Sequence, residues 1–315
     1  MEGRAEVVGR VLLGVSESQR LRNLIEKAPI SRGVVTRFIA GDDTTDAVRV
    51  TSDLVNEGLT ATIDHLGEDT LDRAQAEHIA AEYVQLLNSL RTAGLSGSAE
   101  VSVKLSAVGQ ALPGDGEQIA KDNAREICQA AVDAGTTVTL DMEDHTTTDS
   151  TLAIAAELRK DFPATGIVLQ AYLHRTENDC RQLSFAGSRV RLCKGAYNEP
   201  ATVAYQDNAD VDRSYVRCMK VLLGGEGYPM IATHDPRLIE IGGSLAARYR
   251  REQGSYEYQM LYGVRPDEQR RLTRAGETVR VYVPYGHEWY GYMMRRLAER
   301  PANVVFFLRA LASRK

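Results

Sequence analysis

The sequence predicts an α/β fold in which eight parallel strands close into a barrel, and two observations support this prediction. Short runs rich in β-branched residues alternate along the chain with longer stretches of helical patterning. Consecutive parallel strands require long crossovers of this kind, whereas antiparallel strands need only short turns. The length of 315 residues also suits a barrel that forms one domain. An open, doubly wound sheet is the alternative that the pattern leaves.

A helical segment is predicted ahead of the barrel. Apolar residues recur at roughly helical spacing between Val7 and Ile25. Asp43 and the residues after it give a capping signal for a further helix that ends near Gly58. Because no linker or low-complexity stretch divides the chain, the prediction is a single domain over residues 1–315, with a helical segment over 1–57 and the barrel over 58–305.

Eight strand-like runs follow in order, each mostly apolar and each ending close to a polar or charged residue. The runs are Thr60–His65, Glu100–Leu105, Thr137–Met142, Gly166–Tyr172, Arg189–Cys193, Pro229–Thr233, Tyr256–Leu261 and Thr278–Val283. Their polar ends lie near His65, Lys104, Asp141, Gln170, Lys194, His234, Gln259 and Tyr285. In a barrel these ends converge on one face, where active sites are built. A buried strand does not hold a charge without a partner, so a polar pocket is predicted at this mouth.

Composition and motifs exclude several classes of function. The formal net charge is −5, with both signs interspersed, which argues against a nucleic-acid partner. No GxGxxG follows a strand, and no GxxxxGK[ST] loop occurs, so neither the dinucleotide fingerprint nor a P-loop is predicted. The sequence therefore offers the barrel mouth, and not a nucleotide-binding loop, as the place for chemistry.

The cysteines and the hydropathy pattern favour a cytoplasmic protein. The four cysteines form no CxxC pair and no metal-ligand spacing, which is typical of free thiols in a reducing compartment. The N-terminus carries two acids and lacks the apolar region of a secretory signal. No stretch approaches the roughly 18 apolar residues of a membrane span, although peripheral membrane contact stays open. The helix around residues 7–13 is a candidate for such contact.

The most informative strand end lies in the segment from Arg191 to Tyr197. Two cations, Arg191 and Lys194, bracket the end of the strand. The small residues that follow them, Gly195 and Ala196, would let a planar or phosphate-bearing ligand approach the backbone. This combination predicts an anionic cofactor. The alternative is an ordinary turn between strand and helix whose cations reach into solvent.

The sequence Asp141-Met142-Glu143-Asp144-His145 has two interpretations. Its acids and histidine resemble a metal cluster. A strand that ends beside a helix N-terminus, with capping residues from Thr146 onward, explains the same residues. The second interpretation is preferred and no metal is predicted, because no second group of ligands is evident.

The last helix carries a stripe of unusual composition. Tyr292, Arg295, Arg296 and Glu299 fall at spacings that share one helical face. A solvated stripe with an ion pair between Arg295 and Glu299 is the alternative, but Tyr292 and the nearby Trp289 would be out of place on it. Because guanidinium groups bind carboxylates bidentately, the adjacent arginines predict a clamp for the carboxylate of an amino acid.

Taken together, these segments resemble the proline dehydrogenase family. The matching segments occur in the family's order and cover residues 59 to about 305: Val101–Ser106, Leu140–Asp144, Leu169–Tyr172, Val190–Tyr197, Ala232–His234, Tyr256–Gly263 and Tyr292–Glu299. The length resembles the short monofunctional bacterial enzymes. The resemblance implies a distorted (βα)8 barrel with extra N-terminal helices, whose last helix sits over the carboxyl ends of the strands.

The resemblance also implies noncovalently bound FAD and assigns residues to it. The positions matching flavin contacts are Gln170, Arg191, Lys194, Gly195, Ala196, Thr233 and His234, with Met142 and Asp235 as neighbours, and Arg191 matches the arginine near flavin N5. The positions matching the proline pocket are Lys104, Asp141, Tyr197, Leu261, Tyr282 and Tyr292, with Arg295 and Arg296 as the carboxylate clamp and Glu299 as the acid that orients them. Asn198 and Asp235 depart from residues found in some relatives, which puts the flavin environment in doubt.

The implied reaction is oxidation of L-proline to Δ1-pyrroline-5-carboxylate, the first step of proline catabolism to glutamate. Hydride moves from C5 to flavin N5, with Asp141 and Arg191 as catalytic residues and a membrane quinone as the electron acceptor. Two other hypotheses remain. One is a metal-dependent barrel lyase or hydrolase that uses Asp141, Glu143, His145 and His234. The other is a non-catalytic barrel that binds proline or flavin.

Overall fold

A computed structural model confirms the closed barrel and describes residues 35–67, 70–290 and 292. Eight parallel strands pair in sequence order, and the first also pairs with the last, from Thr60 beside Arg280 to His65 beside Tyr285. The ring is therefore complete, and the open doubly wound sheet is wrong. A closed ring leaves no unpaired strand edge and brings all eight carboxyl ends to one mouth.

The strands and helices alternate as the sequence pattern predicts. The strands are β1 (Thr60–His65), β2 (Ala99–Val103), β3 (Val138–Leu140), β4 (Gly166–Gln170), β5 (Arg189–Cys193), β6 (Tyr228–Ala232), β7 (Glu257–Leu261) and β8 (Val279–Tyr285). The described helices are α1 (Thr44–Asn56), α2 (Arg73–Thr92), α3 (Gly116–Ala134), α4 (Thr148–Leu158), α5 (Thr176–Gln182), α6 (Asn208–Gly224), α7 (Pro236–Arg248) and α8 (Pro266–Arg274).

Local sequence signals set several helix ends. Asp43 caps α1 by accepting a hydrogen bond from the backbone N–H of Asp46 at 3.0 Å, as its capping signal predicts. Asp72 and Asp235 cap α2 and α7 in the same way. Helix α3 ends at Gly135, which adopts the left-handed conformation with φ +81°. Short polar residues thus start these helices, and a glycine stops one of them.

Strand alternation divides the residues of the barrel between two environments. Successive side chains of a strand point to opposite faces. On β2, Val101 and Val103 are fully buried in the apolar layer under the helices. The intervening residues Glu100 and Ser102 point into the barrel, where they meet side chains from strands across it. The helix-facing layer is apolar, and much of the interior is charged.

Three expectations fall wholly or partly outside the described residues. Residues 1–34, which include the helix predicted around residues 7–13, fall outside the described residues, and of the last helix only Trp289, Tyr290 and Tyr292 are described, with helical backbone. The organisation as one domain over residues 1–315, with its boundary at residue 57, stays a prediction. Within the described ranges, every helix is too short or too polar to cross a membrane.

Candidate active site

A compact set of charged side chains occupies the centre of the barrel mouth. The Arg191 guanidinium donates from Nη1 to Asp141 Oδ1 at 2.7 Å and to the Ser102 hydroxyl at 2.8 Å. The other oxygen of Asp141 accepts from the Tyr282 hydroxyl at 2.8 Å. The Arg191 guanidinium also lies 5.4 Å from the centre of the Tyr282 ring. Strands β5, β2 and β8, with the residue after β3, therefore converge on one hydrogen-bonded group.

A lysine and a second carboxylate extend this group. Lys104 Nζ donates to Asp64 Oδ2 at 2.7 Å and to the Tyr282 hydroxyl at 3.3 Å, and it lies 3.7 Å from Asp141 Oδ2. The proximity of Lys104 to Asp141 that the resemblance implies is therefore present. Asp64 is fully buried. The Lys104 ammonium is therefore shared between the carboxylates of Asp64 and Asp141.

The environment shifts the protonation of the two most enclosed acids in this group. Burial removes water from Asp64 and raises the pKa of its carboxyl, although the Lys104 ammonium lowers it in part and Asp141 raises it further. Burial also raises the pKa of the Tyr282 phenol well above its ordinary value, with the nearby Asp141 and Asp64 carboxylates adding to the effect. Tyr282 is therefore a neutral donor at physiological pH, which suits its hydrogen bond to Asp141.

One donor of Arg191 has no partner among the described residues. Nη1 has the two partners already described, and Nη2 lies 3.3 Å from the Thr62 hydroxyl and 3.8 Å from Glu100. Nε is buried and has no hydrogen-bond partner among the described residues. A buried donor left unpaired costs about 1–3 kcal/mol. Such a donor at the mouth of a barrel fits a site in which a bound molecule supplies the acceptor.

Beneath the mouth, a second charged cluster fills the opposite end of the barrel. Glu100 accepts from Arg189 at 2.5 Å and lies 3.8 Å from both Arg191 and Arg280. Arg280 in turn makes a bidentate pair with Glu257 at 2.8 and 3.1 Å. Burial raises the pKa of Glu100, but the three guanidinium groups outweigh burial and lower it to about 2. Acidic and basic side chains therefore alternate along the interior, from this end of the barrel up to the mouth.

A further charged group lies where β5 and β6 end. Lys194 Nζ lies 2.5 Å from Asp212 and 3.6 Å from Asp235. Arg237 contacts the same two carboxylates at 3.0 and 2.8 Å. Its hydrogen bond to Asp235 is the main reason that the pKa of this carboxyl falls to about 2. Lys194, which follows β5, and Arg237, at the start of α7, are thus held by the same two acids at the rim of the mouth.

Gly195 packs closely against an aromatic ring. A Cβ built on it would lie 2.3 Å from the ring of Tyr172, and its φ of +116° is one that residues with a side chain rarely adopt. Tyr172 therefore occupies the position that a side chain would take, so glycine is required here, and the predicted approach of a ligand to its backbone stays a prediction. Ala196, the next residue, is exposed.

The residues of the possible metal cluster turn to separate partners. Asp141 binds Arg191, while Glu143 accepts from the backbone and hydroxyl of Ser106 at 3.0 and 2.6 Å. Asp144 accepts from the backbone of Thr146 in the turn before α4. The N-cap of α4 is Thr147, whose side chain makes no capping hydrogen bond, so the predicted side-chain cap is absent. His145 pairs with Glu199, which also accepts from the His145 backbone at 2.8 Å and from the Tyr172 hydroxyl at 3.3 Å. Among the described residues, no three potential ligands come together to hold a metal.

The other expected site residues include three that make hydrogen bonds where strands β4 and β6 end. Gln170 donates to the carbonyl of Glu143 at 2.6 Å. His234 accepts from the backbone N–H of Leu261 at 2.8 Å, which links the ends of β6 and β7. The Thr233 hydroxyl accepts from the Asp235 backbone at 3.1 Å. Met142 and Tyr292 are buried, and Tyr197 is half-buried. Arg295, Arg296 and Glu299 fall outside the described residues.

Sequence reasoning missed several residues of these clusters. It took His65 as the polar end of β1, but the inward residue is Asp64, and His65 instead packs edge-on against Tyr83 and Tyr285. It also passed over Glu100, Ser102 and Arg280. Polar residues at every second position of an otherwise apolar strand, as in Glu100, Ser102 and Lys104, are the signal that could have found them.

The fold and this mouth define a class of protein, an α/β barrel enzyme. In such barrels the residues at the carboxyl ends of the strands carry the chemistry, and here those ends hold charged groups from four strands and the turns after them.

Comparison with known proteins identifies the family. The family profile for proline dehydrogenase matches residues 47–309. Proline dehydrogenase 1 of Bacillus subtilis (strain 168) is 37% identical over 301 residues, covering 96% of this chain and 98% of that protein. The proline dehydrogenase of Deinococcus radiodurans is also 37% identical, over 304 residues, covering 96% and 97% of the two chains. The chain belongs to the proline dehydrogenase family.

A solved structure agrees with this assignment. The crystal structure of proline utilization A from Bdellovibrio bacteriovorus, inactivated by N-propargylglycine, matches with a TM-score of 0.79 at 27% identity. The match covers 85% of this chain and 33% of that one. The resemblance stated from sequence motifs is thereby confirmed at the level of family and fold.

Proposed function

We propose that this enzyme oxidises L-proline to Δ1-pyrroline-5-carboxylate with FAD, by transfer of a hydride from C5 of proline to N5 of the flavin. Membership of the proline dehydrogenase family supports the substrate. The single observation that carries the chemistry is the Arg191 guanidinium, which is fixed by Asp141 and Ser102 and keeps a buried Nε donor without a partner among the described residues.

The residues present fit a flavin. A flavin ring offers hydrogen-bond acceptors, and the unpaired Nε of Arg191 is a donor that requires one. Lys194 and Arg237 supply cations at the rim, near the N-terminus of α7, where a pyrophosphate would be favoured. The residues that would hold FAD are those whose motifs match the family's contacts: Met142, Gln170, Arg191, Lys194, Gly195, Ala196, Thr233, His234 and Asp235.

When bound, FAD supplies the two-electron acceptor that takes up the hydride from proline. The protein's own task is to hold C5 of the substrate within about 3–3.5 Å of that acceptor and to keep water out. Tyr282 and Leu261, with Tyr197 and Tyr292, would bound the ring of the substrate. A five-membered ring fits such a boundary, and larger rings should be excluded.

Charge at the mouth controls the protonation of the substrate nitrogen. Proline must lose the extra proton on its nitrogen before C5 can give up a hydride. A cation close to that nitrogen disfavours its ammonium form. Lys104, held by Asp64 at 2.7 Å and by Tyr282 at 3.3 Å, is positioned to exert this effect, while Asp141 balances its charge at 3.7 Å.

The substrate carboxylate would be bound by Arg295 and Arg296, with Glu299 orienting them. This assignment rests on the family motif and on the shared helical face of these residues with Tyr292. Replacing either arginine with methionine should raise the KM for proline by the equivalent of about 2–4 kcal/mol, because a charge-assisted contact is lost. Arg274→Met, on the exposed end of α8, is the matched control. A normal KM in both clamp variants would exclude this clamp.

The reduced flavin must be reoxidised, and the proposed acceptor is a membrane quinone met at the bilayer surface by a cytoplasmic enzyme. The four free cysteines, three of them buried, are consistent with a reducing compartment. A quinone analogue that supports turnover in detergent or vesicles, with faster turnover than a soluble dye, would support this acceptor. Equal rates with and without a lipid phase would count against contact with the membrane.

The deciding experiment measures dye reduction by the purified protein with L-proline, and with D-proline as the control. We expect a yellow protein with flavin absorption bands that bleach when L-proline is added without oxygen. A colourless protein with bound zinc or manganese would instead favour the metal-dependent lyase or hydrolase. Binding of proline without bleaching would favour the non-catalytic barrel.

A further inference from the structure

Strand β2 places one inward-facing side chain in each layer of the barrel. Glu100 lies in the base cluster, Lys104 follows the strand at the mouth, and Ser102 lies between them. Ser102 is fully buried. Its hydroxyl is therefore the small polar group through which β2 reaches the interior midway between two charged layers.

The directions of the hydrogen bonds at Ser102 follow from the chemistry of its partners. A guanidinium can only donate, so the Ser102 oxygen accepts from Arg191 Nη1 at 2.8 Å. The single hydroxyl proton then has two acceptors within reach, Asp141 Oδ1 at 2.8 Å and the carbonyl of Thr139 at 3.4 Å. The shorter contact, to a charged acceptor, is the stronger one. Ser102 thus receives from the cation and donates to the anion of the same ion pair.

This arrangement closes a triangle. Arg191 Nη1 contacts Asp141 at 2.7 Å and Ser102 at 2.8 Å, and Ser102 contacts the same Asp141 oxygen at 2.8 Å. The other anchors of the guanidinium are weaker, because Thr62 lies 3.3 Å and Glu100 3.8 Å from Nη2. Without the Ser102 hydroxyl, one short contact would remain, and the guanidinium could rotate about it. The direction of the unpaired Nε therefore depends on Ser102.

We propose that Ser102 is a positioning residue that fixes the orientation of Arg191 relative to Asp141, and so sets the rate of hydride transfer without binding substrate or cofactor itself. This inference rests on the proposed function. Both short side-chain contacts of Ser102 are to Arg191 and Asp141, so it is placed to act through these two residues.

The first test is the Ser102→Ala variant, studied as the FAD-bound enzyme. The rate constant of flavin reduction by L-proline should fall about 10- to 100-fold, the range expected when a hydrogen bond to a charged group is lost. The KM for proline should change by less than about threefold, since the barrier rises and substrate binding does not change. The reduction potential of the flavin should become more negative, because a displaced cation stabilises reduced flavin less.

Ser188→Ala is the matched control. Ser188 is also a buried serine, it precedes β5 at the base of the barrel, and its hydroxyl has no hydrogen-bond partner among the described residues. Its loss removes the same atom from the same barrel without touching Arg191 or Asp141. The reduction rate and the flavin potential should match the wild type. A fall equal to that of Ser102→Ala would show a general effect of deleting a buried hydroxyl and would overturn the proposal.

A double substitution separates positioning from a structural role. If Ser102 acts through Arg191, then Ser102→Ala should slow flavin reduction less than about threefold further in an Arg191→Ala background. The same fold-decrease in both backgrounds would refute the proposal, as would a wild-type rate and potential in Ser102→Ala.

If proline does not reduce the flavin of the wild-type protein, the proposed function fails. The flavin potential, measured by chemical reduction, still tests the role of Ser102.

Discussion

The barrel holds two buried clusters of charge, one at each end of its strands, and they differ in how fully the charges are matched. At the base, Glu257 and Arg280 form a bidentate pair, and Glu100 is surrounded by three arginines. At the mouth, Lys104 contacts both Asp64 and Asp141, Arg191 also pairs with Asp141, and the Nε of Arg191 has no partner among the described residues. A buried acid is therefore surrounded by several cations at the base, whereas the buried Asp64 at the mouth pairs with one lysine.

The pKa values of Glu100 at the base and Asp64 at the mouth shift in opposite directions. The pKa of Glu100 falls to about 2 although burial raises it, because the surrounding guanidinium groups outweigh the loss of water. The pKa of Asp64 is raised, because burial outweighs its one lysine. An ionised Glu100 therefore stabilises the fold, whereas an ionised Asp64 costs stability. A functional site commonly carries such a cost, which the rest of the structure must offset.

The largest expected effect comes from removing one member of the ion pair between Glu257 and Arg280 at the base of the barrel. Glu257→Gln leaves Arg280 buried without its bidentate partner, and removing one member of a buried pair costs about 3–5 kcal/mol. Chemical denaturation at neutral pH should show this loss in the free energy of unfolding, while folded enzyme keeps its rate of proline oxidation. A variant that folds as stably as the wild type but oxidises proline slowly would reverse the roles that we assign to the two ends.

Breaking the mouth should have the opposite outcome. Arg191→Ala should slow flavin reduction about 10²- to 10³-fold, the usual cost of removing one oriented donor from an active site. FAD should remain bound, because the other contacts proposed for it are unchanged. Single-turnover reduction without oxygen measures the rate, and the flavin spectrum reports binding. Unchanged single-turnover reduction would exclude Arg191 from the chemistry.

The pH dependence of stability should differ between the two acids, starting with Glu100. Its folded pKa of about 2 lies below the ordinary 4.5, so its stabilising contribution is present above pH 4.5 and declines as the pH falls towards 2. The difference in unfolding free energy between wild type and Glu100→Gln should therefore shrink over that interval, by on the order of 3 kcal/mol. Denaturation at a series of pH values measures it. A difference that does not change with pH would contradict the depressed pKa.

Asp64→Asn should show the reverse slope and the smallest effect on stability. Because the folded pKa of Asp64 is raised above 3.8, the wild type should lose stability relative to the variant as pH rises from that value. In the proline assay, kcat/KM should fall about 10-fold, since Lys104 loses its closest anion. If wild type and Asp64→Asn differed in unfolding free energy by the same amount at every pH and had the same kcat/KM, the distinction that we draw between Asp64 at the mouth and Glu100 at the base would be wrong.

Much of the fold was predictable because it depends on local patterns. All eight strand-like runs coincide with strands, within a few residues at their ends, and the capping signal at Asp43 is confirmed. The rhythm of strand and helix required parallel pairing. Closure into a ring, which separates the barrel from an open sheet, depends on the pairing of β1 with β8, which joins the two ends of the barrel sequence.

The candidate site was predictable in part. Lys104, Asp141 and Tyr282 were expected to lie together and do so. Asp64 and Ser102 were not predicted, because the sequence pattern marks His65 and Lys104 as the polar ends of the same two runs. Which residue of a strand faces inward is decided by the two-residue alternation counted from its paired neighbours. That count requires the register between strands, which a single sequence does not contain.

For this protein, the sequence by itself determined the order and type of the elements, the eight polar strand ends and, through its motifs, the family. These depend on spacing and residue type, which are local properties. Only the tertiary structure decided that Arg191 is held between Asp141 and Ser102, that Glu100 joins three arginines, and that Tyr172 fills the space beside Gly195. Each of these contacts joins strands or loops far apart in the chain, because barrel closure brings them together.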